Sequence, residues 1–473
     1  MMDRRDRLVQ NEMLDVLSRM YGSENDIALL RIILAERFSA LPGVRRADVA
    51  FNRTEGENGA TISYNAVPNL TNTDWRNLRL FVGLTSGKPI GEISGAVLNK
   101  LPGFMHAKGS STWSKPIRGP TTTKYSAFIS DIGLFNSLRN AWTVGTDKTD
   151  SEEEQASHNH ACTTAYAEVV RTGPTTGIYD ILAAPSTFAI APPRRMFTSW
   201  FGVLRAFWST REISKVTITA SEAIKSLEPR DNKAGLAMGL FKNNMKFSHG
   251  RPVKGFQASA SAEAAMVKPK ARAPPVPQGR VEAALSLTNP LGPWSWAPAL
   301  TTGVSAGVLR ARSSDSGSKD ASFHDRFHLG GGALRHFQAK KVGPCEPRSP
   351  MCPEAPVSVG VDWLGGDTYW NSYVGANVPM PIHRLADIPK VGRFLQAAQG
   401  LKDVIFAHVY GNAGGLTLGK DPRALIKDIR CSVGAGVLVR TGGGLMEIGL
   451  GVPLCFQPFD VTQGLVFGVG LEL

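Results

Sequence analysis

From Trp75 onward, apolar residues recur at every second position and never gather into a long run. Leu78, Leu80, Val82 and Leu84 share one parity, opposite Arg79, Phe81, Gly83 and Thr85. After the turn SGKPIG, Ile93, Gly95 and Val97 return. The same alternation shapes CSVGAGVLVR (431–440) and LMEIGLGVPL (445–454), joined by a glycine run at 442–444. It also shapes DVTQGLVFGVGLEL (460–473), an ending so strand-like that something must tie it down. A period of two marks strands with one greasy face. A membrane helix needs roughly 18 uninterrupted apolar residues, and even the stretch from Phe197 to Trp208 is broken by Arg205. A helical membrane protein is therefore excluded. A β-barrel is not, because its strands bury alternate residues and leave a weak hydropathy signal, so a mean hydropathy of -0.11 is no argument against one.

At about 25 residues per strand and connection, this region holds about 16 strands, an even number suited to a large antiparallel barrel. Forty-nine glycines and thirty prolines fit the many turns such a chain needs. The expected fold class is an all-β membrane protein, a transmembrane β-barrel of about 16 antiparallel strands over residues 76–473, behind a small N-terminal α+β domain. In that domain, Leu30, Leu34, Phe38 and Leu41 fall on one face of a helix expected at 27–41, which Pro42 and Gly43 end. VRRADVAF and ATISYNAV then alternate as two short strands, expected at 47–51 and 61–67. This domain takes residues 26–75, after a partly helical extension over 1–25.

The net charge of +13 invites a nucleic-acid reading, but the basic residues are scattered. Their densest group, KPKARAPPVPQGR from Lys268, is proline-rich and expected to be a solvated loop, so no nucleic-acid partner is expected. TDKTDSEEEQASHNH (146–160) and SSDSGSKD (313–320) are likewise expected to be loops. Within the first of these, His158, His160 and Cys162 have a spacing that could hold zinc at a strand edge. No second ligand cluster follows, and no metal is expected. There is no P-loop, no G-x-S-x-G and no H-E-x-x-H, so neither an enzyme nor a cofactor is expected. Five cysteines form no disulfide ladder. The N-terminus MMDRRDRLVQNEMLDVL lacks an apolar core and mixes acids with arginines, unlike a secretory signal or a matrix-targeting presequence.

FHLGGGALRHFQ (327–338) breaks the pattern, since Gly330, Gly331 and Gly332 make a poor strand. Arg335 and Phe337 follow on what reads as a glycine-rich loop, and a buried guanidinium there demands an acidic partner. This stretch resembles the inward-folded loop motif of the outer-membrane protein assembly superfamily, in which two glycines precede arginine, glycine and phenylalanine. His336 stands where that family has glycine. GGDTYW (365–370) then VPMP, VYGNAGGL (409–416), GAGVLVRTGGGLMEIGLGVPL (434–454) and the closing strand follow in the family's order. Together they resemble its mitochondrial branch, the channel subunits of the sorting and assembly machinery.

The resemblance implies a protein of the mitochondrial outer membrane that assembles barrel proteins without nucleotide or catalytic residues. Its partners would be unfolded β-barrel precursors, other subunits of the assembly complex and membrane lipid. The N-terminal domain would be a single polypeptide-transport-associated (POTRA) domain in the intermembrane space. A lateral gate would lie between a first strand near Arg76 to Gly87 (Leu78, Leu80, Val82, Leu84) and a last strand near Thr462 to Leu473 (Gly468, Gly470). Arg335 would be the lumenal anchor of the glycine loop, with Asp367 as its acidic partner. Thr462, Gly464, Phe467 and Val469 fit the β-signal of mitochondrial barrel clients. A channel or porin, a polypeptide-translocating pore of the same superfamily and a soluble all-β binding protein are the rival readings.

Overall fold

The structure is a computed structural model that describes the backbone of residues 44–56, 59–70, 77–85, 88–97, 106–114, 121–132, 134, 140–152, 157–172, 199–227, 229–248, 251–269, 274–292, 297–312, 322–349, 360–380, 405–419, 423–441 and 444–472. β1 (Val44–Gly56) and β2 (Gly59–Leu70) pair antiparallel in a sheet of their own, with Phe51 opposite Tyr64. They contain the two strands expected at 47–51 and 61–67, while the helix expected at 27–41 and the loop at 313–320 lie outside the described residues.

The large sheet is a meander. Its first half is β3 (Asn77–Thr85), β4 (Lys88–Val97), β5 (His106–Ser114), β6 (Thr121–Ile132), β7 (Asn140–Glu152), β8 (Asn159–Thr172), β9 (Ser199–Ser214) and β10 (Arg230–Asn243). A three-residue spur, β11 (Lys246–Ser248), precedes β12 (Arg251–Pro269), β13 (Val276–Pro290) and β14 (Ala299–Ala311). β15 (Cys345–Pro347) and β16 (Val361–Trp363) form a separate small ribbon. β17 (Thr368–Pro379), β18 (Ile405–Thr417), β19 (Arg430–Thr441), β20 (Gly444–Cys455) and β21 (Leu465–Glu472) complete the wall, and β21 pairs with β3 to close the barrel. Leaving out the spur, sixteen antiparallel strands make the ring among the described residues.

The wall is apolar outside and polar inside, the reverse of a soluble sandwich. On β10, Leu236, Met238 and Leu240 are 50 to 57% exposed, while Asp231, Lys233 and Ala237 on the opposite parity are buried. β13 repeats this with Val281, Leu285 and Leu287 outward and Arg280, Glu282 and Ser286 inward. Alternation of this sense suits a barrel in lipid around an aqueous interior, and it removes the soluble binding protein as a rival. No helix among the described residues is long and apolar enough to cross a membrane, so crossing falls to the strands.

Two expected loops are partly wall. Residues 146–152 belong to β7 and 159–160 to β8, and Asp147 there faces inward to Arg205 at 3.6 Å. Lys268 and Pro269 end β12, and Val276 to Arg280 begin β13. Charge and proline mark loops in a dry fold. In a barrel, lumen and rim positions meet water, and a proline near a strand's start removes no essential ladder bond.

Candidate functional site

β14 is followed by a segment whose apolar residues would be stranded if it looped into solvent. Instead, residues 322–349 fold back into the barrel. Leu334, Phe337 and Val342 are fully buried there, and Phe327 and Leu329 are nearly so, packed on Leu309 of β14, Leu416 of β18 and Tyr369 of β17. The tip closes at Gly330 and Gly331, whose φ values of +104° and +64° an L side chain rarely adopts. The Gly331 amide donates to the Phe337 carbonyl at 2.8 Å. Gly332, the third glycine of the motif, has open space where a side chain would sit.

One end of this strap is held by charge. Asp325 takes Arg211 Nη1 of β9 and Lys233 Nζ of β10, each at 2.5 Å. Arg211 also donates through Nε and Nη2 to Asp231 at 2.6 and 2.7 Å, and Lys233 pairs with Glu263 of β12. Arg211, Asp231, Lys233 and Asp325 are all at least nine-tenths buried. Burial by itself would raise the Asp325 carboxyl, but the two cations outweigh it and hold it well below the usual carboxylate range. The flanking histidines stay neutral. Burial first and Arg211 next push His324 down to about 4, and burial, Lys340 and Arg326 do the same to His328, also to about 4.

The zinc-like triplet takes a packing role. His158 and His160 place their Nε2 atoms 2.9 Å apart, and both rings lie 5.5 Å from the Phe323 ring, cradling the start of the strap. Cys162 lies further along β8 with its thiol on Thr164. No group of three or more His, Cys, Asp or Glu among the described residues is arranged for a metal.

The other end is held by aromatic faces and backbone. The Arg335 guanidinium sits 4.7 Å over the Tyr410 ring and 5.8 Å from that of Tyr373, a cation–π clamp. Asp367 is not its partner. β17 begins beside β14, with Thr368 opposite Val308, so the Asp367 carboxylate meets Arg310 at 3.6 Å and accepts from the Gly419 amide at 3.2 Å. His336 keeps the left-handed backbone that suits a glycine, at φ 65°, and is fully buried. Its Nδ1 lies 3.1 Å from the Gln463 carbonyl and its Nε2 lies 2.7 Å from the Tyr410 hydroxyl. A carbonyl only accepts, so Nδ1 carries the proton and Nε2 accepts from Tyr410. Gly434 and Gly451 supply the room, since a Cβ on either would collide with the imidazole.

Backbone bonds then zip the strap to the lead-in of the last strand. Gln463 N donates to His336 O and Gln338 N to Val461 O, both at 2.8 Å, and Val461 N donates to Lys341 O at 3.1 Å. Thr462 bridges Phe337, and Gly464 lies on a bend whose carbonyl takes the Gly451 amide. The final strand therefore begins at Leu465 rather than near Thr462. Of the β-signal pattern, Phe467 and Val469 lie in the ladder, opposite Ile448 and Met446, while Thr462 bridges the strap and Gly464 forms the bend between them. Below the strap a cavity of about 490 Å³ is lined by Arg205, Lys233, Glu263, Arg280 and Glu282 among others.

The seam between last and first strands is short. It runs from Val469 opposite Leu84 to Glu472 opposite Phe81, four residue pairs among the described residues. The neighbouring ladders have seven pairs (β20 with β21) and nine (β3 with β4). Among the described residues, Leu78 and Leu80 pair only on the β4 side, and Gly468 only with Glu447 of β20. Sequence reasoning missed Asp325, Arg211, Lys233 and Tyr410. Its only signal for the two cations was charge at inward parity in otherwise apolar strands.

Residues 276–473 match the Omp85 superfamily domain. Over 188 residues the chain is 30% identical to the sorting and assembly machinery component 50 homolog of Xenopus tropicalis, covering 38% of this chain and 34% of that one. The human counterpart is 31% identical over 166 residues, 33% of this chain and 30% of its own. The match thus spans about a third of the curated relatives' length. Among solved structures, BamA from Haemophilus ducreyi lacking POTRA domains 1-3 superposes with a TM-score of 0.66 at 14% identity, over 99% of this chain and 82% of that one. CdiB from Escherichia coli gives 0.51 at 12% identity, over 98% and 74%. At these identities the likeness is one of fold.

Asp325→Asn leaves two buried cations short of a carboxylate, and loss of one partner of a buried pair costs about 3 kcal/mol or more. Protease cleavage within residues 322–349 of the folded barrel is expected to rise at least tenfold. The histidines set a pH window. Unfolded imidazoles titrate near 6.5, but His324 and His328 in the packed strap titrate at about 4, so protonation favours the released loop. Strap protection in hydrogen exchange is expected to be constant above about pH 6.5 and to fall towards pH 4. In His324→Gln/His328→Gln that fall should be markedly smaller.

Proposed function

Because residues 276–473 of this chain match the Omp85 superfamily domain, we propose that it is a mitochondrial outer-membrane assembly factor that inserts and folds β-barrel proteins. The short seam between β21 and β3 carries this reading. Among the described residues fewer ladder bonds must break there than at either neighbouring strand pair, and opening it exposes two unpaired edges at membrane depth. Unpaired backbone groups in hydrocarbon cost several kcal/mol each. An incoming precursor strand that pairs with an edge removes that cost, so strand addition drives insertion without nucleotide.

In this mechanism the strap is the positioning element. Its charged end is fixed to β9 and β10, and its far end is zipped to residues 461–463, immediately before the seam strand. Release or retention of that zip would set how freely β21 parts from β3. Thr462, Gly464, Phe467 and Val469 serve as the chain's own insertion address, read when another copy assembles it. The β1–β2 hairpin belongs to a single POTRA-like domain over 26–75 that meets clients in the intermembrane space. Clients are unfolded β-barrel precursors, and the remaining partners are other subunits of a sorting and assembly complex.

A channel or secretion pore of the same fold makes a different prediction. Depleting the chain from cells is expected to deplete other outer-membrane barrels together, whereas loss of a porin spares them. With Leu80→Cys in β3 and a cysteine walked along a client's final strand, crosslinks are expected during import at registers two residues apart. Absence of crosslinks at every register sinks the gate.

A further inference from the structure

The outer wall carries a feature that the assembly reading does not use. Across β10, β12, β13 and β14, the outward positions Ala234, Ala264, Pro277 and Gly279 are small or flat, while Leu236 and Met266 stand up beside them. The result is an apolar groove of about 480 Å³ on the lipid-facing side. It exists because side chains are missing, since a Cβ on Gly279 would find only the Glu263 carbonyl oxygen, at 3.9 Å.

Arg310 and Arg312, two residues apart on the outward parity of β14 and its extension, border the groove. Lys268 follows Met266 on the outward face of β12 and is exposed. Arg310 is 49% exposed, and its Nη1 is steadied by the Leu309 carbonyl, Thr368 Oγ1 and the Asp367 carboxylate at 3.6 Å. Arg312 and Lys268 have no ion-pair partner among the described residues. Basic groups at the end of an apolar wall sit at the depth of lipid headgroups. A guanidinium matches a phosphate with two parallel hydrogen bonds.

We infer that this face is a binding site for one anionic phospholipid, its acyl chain laid along Ala264 and Gly279 and its phosphate held by Arg310 and Arg312. Charge complementarity selects this occupant. A zwitterionic lipid fits the groove but adds a cationic headgroup beside three basic side chains, and a free phosphate has no use for the groove.

The test uses the full chain in detergent, titrated with dioleoyl phosphatidylglycerol or dioleoyl phosphatidylcholine and read by native mass spectrometry. Folding is confirmed by heat-modifiable migration. Wild type is expected to retain the anionic lipid at least about tenfold better than the zwitterionic one. Arg310→Gln/Arg312→Gln should abolish the preference, and Ala264→Leu/Gly279→Leu, which fills the groove, should lower retention of the anionic lipid by a similar factor. Equal retention of both lipids by wild type, or undiminished preference in the arginine variant, overturns the site. Displacement by glycerol phosphate alone, or a two-copy complex that the groove-filling variant disperses, overturns the acyl assignment.

Discussion

A strand in hydrocarbon has no water to satisfy its N–H and C=O groups, so every strand must have two neighbours. That condition explains the closed sixteen-strand meander and the outward apolar parity. It also makes the short ladder that closes the ring the most informative place in the molecule. Among the described residues four pairs join β21 to β3, and Gly83 faces Gly470 within them, so two positions in the middle of the seam add no side-chain packing. The condition that forbids an edge is met there by the smallest margin.

The strap obeys a related rule inside the lumen. Charges removed from bulk water must be paired, and Asp231, Arg211, Asp325, Lys233 and Glu263 alternate in sign along one chain of contacts. Such a network adds little net stability but specifies position, because any other seating of Asp325 deprives Arg211 and Lys233 of one of the two carboxylates that each holds. At the far end, His336 achieves with hydrogen bonds what a glycine would achieve by conformational freedom. A left-handed φ costs a β-carbon-bearing residue on the order of 1 kcal/mol, and bonds to Tyr410 and Gln463 offset it.

The barrel was legible in the sequence because its periodicity is local. Leu78, Leu80, Val82 and Leu84 announce β3, and the glycine run at 442–444 announces the hairpin that follows β19. The strap's tip was legible too, since GGG cannot lie in a good strand. Its partners were not. Arg211 and Asp325 are 114 residues apart, and nothing in either segment names the other. Asp367 looked like a partner for Arg335, but the register of β17 on β14 delivers it to Arg310. Thr462 looked like the first residue of a strand, whereas its neighbours' hydrogen bonds go to the strap. Polar stretches misled for one reason. A barrel has water on its inside, so residues such as Asp147 and Gln278 can lie in the wall.

The central claim is that the seam must part for a client to be built. Gly83 and Gly470 are opposite one another in the β3–β21 register, a placement that suits a disulfide between directly paired strands. In Gly83→Cys/Gly470→Cys, oxidation should lock the seam and stop assembly of client barrels, and a reductant should restore it, with either single cysteine variant unaffected. Normal client assembly by the fully oxidised double variant would contradict the account.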